Sequence, residues 1–123
     1  MVYPISRTPA MLFGVGASGQ TGEKVRELGC KKVILVTDKD IKNAGIAGGV
    51  LKSLEEAGIA TVECDGVMPN PTDSIIEKYA AVAREEKVDG VVAVGGGSVM
   101  DAAKGVNVLL TNPLPISRYY GVN

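Results

Sequence analysis

A chain of 123 residues, 46% hydrophobic and 22% charged, has the length of one domain and the composition of a globular one, which excludes disordered, fibrous and multidomain architectures. Thirteen basic side chains against fourteen acidic ones leave a net charge of -1, so there is no electrostatic footprint for nucleic acid or an anionic membrane. The sequence has no His, which removes the commonest general acid/base and a leading metal ligand from whatever chemistry the chain performs alone.

The first apolar stretch, residues 11–13, reads as a short strand. Gly14 and Gly16 interrupt the run 10–17 and Pro9 precedes it, which does not suit a secretory signal. The glycine turn Gly14-Val15-Gly16-Ala17-Ser18-Gly19 follows, then an amphipathic helix over 23–28 that stops at Gly29. Residues 32–37 form a nearly continuous β-branched run, the mark of a strand buried on both faces, with Asp38 at its carboxyl end. A second helix is expected over 49–57, with Val50, Leu51 and Leu54 on one face and Gly58 as its stop. A strand over 60–64 comes next. The turn Met68-Pro69-Asn70-Pro71-Thr72 opens a third helix carrying Ile75, Ile76, Tyr79, Ala80 and Ala83 at helical spacing, with Ser74 and Glu77 spaced as a capping box. Another buried-strand run, residues 90–94, passes through Gly95-Gly96-Gly97-Ser98 into a helix that turns Val99, Ala102, Ala103, Val106, Leu109 and Leu110 inward. After Asn112-Pro113 the periodicity ends. Cys30 and Cys64 belong to no C-x-x-C pair and read as small buried hydrophobes. No run approaches the roughly twenty apolar residues of a membrane span, so a cytoplasmic protein is expected.

Strands alternating with helices predict right-handed βαβ units: an α/β fold with an open, doubly wound, Rossmann-like parallel sheet, forming one domain over residues 1–123. In such sheets ligands gather at the carboxyl ends of the strands, where helix N-termini offer N–H groups and a positive dipole end to anions. Two glycine turns qualify. Residues 14–19 match G-x-G-x-x-G, with Asp38 about twenty residues on, but the strand before them is short and the helix after them poorly capped. The nearby stretch from Gly16 to Lys24 imitates a P-loop without its Gly-Lys-Ser/Thr. Gly95-Gly96-Gly97-Ser98 has the better context, between a strong strand and a strong helix, and its glycines let the backbone approach a diphosphate closely. Plainer readings stand beside these: Ser98 with Asp101 as a capping box, and Asp38 as an N-cap before Ile41.

The string Gly95-Gly96-Gly97-Ser98-Val99-Met100-Asp101-Ala102-Ala103-Lys104 resembles the G-G-G-S-x-x-D-x-A-K signature of the iron-containing, group III alcohol dehydrogenases. Phe13-Gly14 with Gly16, Val36-Thr37-Asp38 and Pro69-Asn70-Pro71-Thr72 agree in order and spacing, and the resemblance covers essentially the whole chain. It implies NAD as cofactor, with the pyrophosphate at Gly96, Gly97 and Ser98 beside Gly95. Asp38 would meet the adenosine ribose and disfavour NADP, Asn70 would line the cleft, and Asp101 would support the turn. The turn at 14–19 then becomes a decoy. Family members are much longer and hold iron or another divalent metal through Asp and His side chains of a helical C-terminal domain. That domain is not present in these 123 residues.

The expectation is therefore the nucleotide-binding domain of a metal-dependent alcohol dehydrogenase, truncated and inactive alone. In the full-length enzyme, hydride would pass between a small alcohol or aldehyde and the nicotinamide. The alternative is a non-catalytic module serving partner docking or homo-oligomerisation through apolar surface that the missing domain would have covered. A flavodoxin-like receiver fits less well, because a Gly-Gly-Gly-Ser helix start suits a diphosphate.

Overall fold

The run Val33-Ile34-Leu35-Val36 lacks polar alternation because both of its faces are covered: these four residues are almost wholly buried. They form β1 (Lys32–Val36), which pairs in parallel with β2 (Ala60–Cys64) on one edge and β3 (Gly90–Ala93) on the other. The sheet order is β2-β1-β3. This is a computed structural model, and it describes residues 17–68 and 72–111. The strand expected at 11–13 and the tail after 111 lie outside the described residues.

Helices alternate with the strands: α1 (Thr21–Glu27) after a 3-10 turn at Ala17–Gln20, α2 (Lys39–Asn43), α3 (Ile46–Glu56), α4 (Asp73–Glu85) and α5 (Gly97–Thr111). Successive side chains of β1 go to opposite faces. Val33 and Leu35 pack with Val25 of α1 and with Val50 and Leu54 of α3. Ile34 and Val36 pack with Ile76, Tyr79 and Ala80 of α4 and with Val99, Ala102 and Val106 of α5. The doubly wound α/β architecture is thus observed, with α1 and α3 on one face and α4 and α5 on the other.

Three helices end alike before a strand. Cys30 N–H reaches Val25 O while Gly29 N–H reaches Arg26 O; Ile59 and Gly58 repeat the pattern onto Leu54 and Glu55, and Val88 and Lys87 onto Ala83 and Arg84. This closure needs a left-handed residue, supplied by Gly29 and Gly58 as the sequence indicated. At the third position Lys87 takes φ 55, where the sequence carries no signal.

Several expectations shift. The third helix begins at Asp73 with Thr72 as its N-cap, Oγ1 accepting from Ile75 N–H at 3.4 Å, so Ser74 already lies within the helix and the Ser74–Glu77 capping box does not form. The second expected helix starts earlier, at Ile46, and α2 was too short to show a period. β3 is half-buried rather than buried, because among the described residues only β1 pairs with it.

Amide groups of Lys31 and Lys32 donate to the Asp89 carboxylate at 2.9–3.1 Å, holding its pKa below the ordinary 3.8 and tying the amino ends of β1 and β3 together. On the other side of the sheet, α1 meets α3 at Gly22, whose N–H donates to Ser53 Oγ at 2.9 Å, while Ser53 donates to Gly19 O at 2.7 Å. A Cβ on Gly22 would lie 2.0 Å from Ser53 O, whereas one on Gly19 would meet nothing within 4 Å. Gly22→Ala is therefore expected to lose about 1–3 kcal/mol in urea unfolding through overpacking, and Gly19→Ala to stay within about 0.5 kcal/mol of the parent.

Candidate functional site

From the carboxyl end of β1 the chain leaves for α2, α3 and β2; from that of β3 it leaves for α5 on the opposite face. Neighbouring strands that send their chains to opposite sides leave a crevice between them, the switch point at which open α/β sheets bind ligands. The crevice here has a volume of about 180 Å3 and is lined by Asp38, Asp40, Met68, Gly96, Gly97, Ser98 and Val99. This is less than the roughly 300–1,000 Å3 that encloses a drug-sized ligand. It therefore suits one portion of an extended ligand, with the remainder lying on open surface.

The three glycines of the turn are not equivalent. Gly95 has φ 153, and a Cβ there would come within 2.7 Å of Val99 Cγ2, so the fold itself requires glycine. At Gly96 and Gly97 a Cβ would meet nothing within 4 Å, and neither has positive φ. Both are exposed at the crevice. Nothing in the described protein demands glycine at these two positions, whereas an anion approaching the backbone would.

Helix α5 starts at Gly97, and the Gly96 carbonyl already accepts from Met100 N–H at 3.0 Å. Ser98 is thus inside the first turn and cannot be the N-cap, so the expected Ser98–Asp101 capping box is not formed. Asp101 lies on an exposed face of α5 and is not among the residues lining the crevice. The first turn of α5 carries no acidic residue of its own, so its N-terminal N–H groups and dipole are not offset from within the helix.

Across the crevice, Asp38 leaves β1 in extended conformation and caps α2, its Oδ1 accepting from Ile41 N–H at 2.8 Å. Oδ2 has no partner among the described residues, so the capping role and a ligand role are compatible. Asp40, which the sequence reading passed over, adds a second carboxylate to the crevice wall; a D-x-D spacing at a strand end was the available signal. Asn70, between Pro69 and Pro71, lies outside the described residues.

The walls are braced from behind. Lys42 of α2 bridges Glu63 at 3.2 Å and Asp65 at 3.1 Å beyond the end of β2; hydrogen bonding to Asp65 and then Glu63 raises the lysine pKa, and the same contact to Lys42 lowers that of Asp65. Gly66 N–H donates to the Tyr79 hydroxyl at 2.6 Å, holding the segment that leads to Met68. A Cβ on Gly66 would lie 2.5 Å from that oxygen. Burial raises the Tyr79 pKa, keeping the phenol neutral.

The described part of the other glycine turn is taken up in packing: Gly19 and Gly22 serve the junction with Ser53, and Lys24 pairs with Glu27 at 3.3 Å. Gly14 and Gly16 lie outside the described residues. Cys64 is buried and Cys30 half-buried, both are free thiols, and burial raises both pKa values. No group of three or more His, Cys, Asp or Glu among the described residues is arranged to hold a metal ion.

A family model described as iron-containing alcohol dehydrogenase matches residues 8–123. The choline dehydrogenase of Bacillus subtilis is 46% identical over 99 residues, covering 80% of this chain and 25% of that protein. The 1,3-propanediol dehydrogenase of Klebsiella pneumoniae is 40% identical over 112 residues, covering 89% of this chain and 29% of its own length. Among solved structures, NADH-dependent butanol dehydrogenase A of Thermotoga maritima superposes with a TM-score of 0.86 at 36% identity, over 93% of this chain and 29% of that one. Sulfoacetaldehyde reductase of Bifidobacterium kashiwanohense, in complex with NAD+, reaches 0.84 at 26% identity, over 100% of this chain and 32% of that one. The chain thus spans about a quarter to a third of the length of these relatives.

The contrast within the turn predicts opposite outcomes for one substitution at neighbouring positions. Gly95→Ala should lower the midpoint of chemical unfolding by the equivalent of about 1–3 kcal/mol, from backbone strain and the clash with Val99. Gly96→Ala and Gly97→Ala should unfold within about 0.5 kcal/mol of the parent.

Proposed function

Because the chain belongs to the iron-containing alcohol dehydrogenase family, we propose that its switch-point crevice is the dinucleotide site of an NAD-dependent alcohol dehydrogenase. The observation that carries this reading is the pair Gly96 and Gly97: exposed, without steric need for glycine, and set at the start of a fifteen-residue helix. Backbone N–H groups of this turn and of Ser98 would donate to the pyrophosphate, drawn by the positive end of α5, whose own first turn carries no acidic residue. Asp38 would take the adenosine ribose hydroxyls through the carboxylate oxygen that the α2 cap leaves open. Asn70 would face the same cleft from the segment after β2. Asp101, one turn into α5, would act through the helix and not by contact. Gly95 serves by shaping the turn.

When bound, the nicotinamide supplies the carbon that takes or gives a hydride. The residues of this chain hold and orient the cofactor and exclude its 2′-phosphorylated form. Two carboxylates, Asp38 and Asp40, line one small crevice, and a 2′-phosphate would add further negative charge between them. The family's metal finds no fitting residues here: the sequence has no His, and the described acidic and thiol side chains form no ligand cluster. No step of the alcohol chemistry is therefore assigned to these residues, and the alcohol or aldehyde substrate belongs to the whole enzyme. No described helix is long and apolar enough to cross a membrane. The proposal extends to a cytoplasmic protein that self-associates, with the exposed Met68 and Met100 as part of its apolar surface.

Titration with NADH, followed by fluorescence, should saturate, and Gly96→Trp should abolish binding without unfolding the chain. Absence of any dinucleotide binding, with self-association intact in sedimentation at several concentrations, would favour the docking-module reading instead. NADH should bind tighter than NADPH by about tenfold or more, equivalent to about 1.4 kcal/mol. Asp38→Asn should narrow that ratio and Asp38→Asn with Asp40→Asn should narrow it further.

A further inference from the structure

Three consecutive glycines supply little rotamer or backbone restraint of their own, so the position of the Gly95-Gly96-Gly97 turn has to be set at its ends. One end is Val99, buried against the α4 and α5 face. The other is Val94, the last residue before the turn.

The backbone ladder between β1 and β3 runs out at this point. Its last pair is Val36 with Ala93, closed by Val94 N–H donating to Val36 O at 3.0 Å. The next residue of the central strand, Thr37, turns its backbone to the other side, donating its N–H to Cys64 O at 2.9 Å and accepting from Val67 N–H at 3.4 Å. Only its side chain is left to reach β3, and Thr37 Oγ1 donates to Val94 O at 2.7 Å. Thr37 is completely buried, and the residue after it is Asp38.

We propose that Thr37 is a positioning residue: its hydroxyl latches the carboxyl end of β1 to that of β3 and so sets where Asp38 stands relative to Gly96, Gly97 and Ser98. The two walls of the crevice come from different strands, and a ligand spanning both gains the affinity of two linked contacts only if their separation is right. The latch acts on that separation and touches no ligand. It rests on the dinucleotide reading above.

The test uses three probes on the 123-residue chain, followed by NMR titration: adenosine, which engages the Asp38 wall; inorganic pyrophosphate, which engages the glycine turn; and ADP-ribose, which spans both. Thr37→Val keeps the side-chain shape and removes the hydroxyl. It should weaken ADP-ribose by about tenfold while adenosine and pyrophosphate change by less than about twofold, and Thr37→Ser should restore the parent affinity. Equal weakening of all three probes, or parent-like binding of ADP-ribose by the valine variant, overturns the proposal. If the parent chain binds none of the probes, the dinucleotide reading falls and takes the latch's role with it. Should Thr37→Val not fold, Thr37→Ala in the same three titrations decides: selective weakening of ADP-ribose supports the latch, and equal weakening of all three probes or parent-like binding of ADP-ribose overturns it.

Discussion

Everything in this molecule hangs on β1, the one described strand paired on both edges and covered on both faces. Its uninterrupted apolar run gives each helical layer a floor, Val33 and Leu35 for α1 and α3, Ile34 and Val36 for α4 and α5. Each such side chain fully removed from water is worth about 1.5–3 kcal/mol, so this strand anchors both cores at once. The same centrality creates the crevice. A strand with neighbours on both sides, whose chain leaves for one face while its neighbour's leaves for the other, must open a gap at its carboxyl end.

The glycines divide by the reason each is there. Gly22, Gly66 and Gly90 stand where a Cβ would collide with Ser53 O, the Tyr79 hydroxyl and Cys30 Sγ respectively, so their absence of side chain is used by the protein's own packing. Gly95 serves the shape of the turn. Gly96 and Gly97 have neither reason, and they alone among these face the crevice. Two glycine-rich strings of similar appearance thus separate, in their described parts, into one spent on helix packing and one left open at a helix start.

Strand identity and order along the chain were legible because β-branched runs and glycine stops are local signals: β1 and β2 lie where the pattern set them, and α1 and α3 end at Gly29 and Gly58. Asp38 and the second glycine turn were legible for the same reason, as residues at strand ends. Capping was read less well. A two-residue shift in where a helix begins moves the cap from Ser74 to Thr72 and places Ser98 within α5, and spacing alone does not resolve such a shift. Met68 was missed because its membership of the crevice comes from which elements are neighbours, and Asp40 because the D-x-D spacing at the end of β1 shows a second carboxylate without showing what it faces.

By itself the sequence determined the α/β alternation, the positions of the strand ends, the family and the two candidate glycine turns, since each depends on residues adjacent in the chain. Tertiary structure decided which face each helix covers, that β1 lies between β2 and β3, and that Asp38 and Gly96, 58 positions apart in sequence, share one crevice wall to wall. It also gave Thr37 its task, because a buried hydroxyl finds its acceptor, Val94 O, only after two strands distant in the chain have been laid side by side.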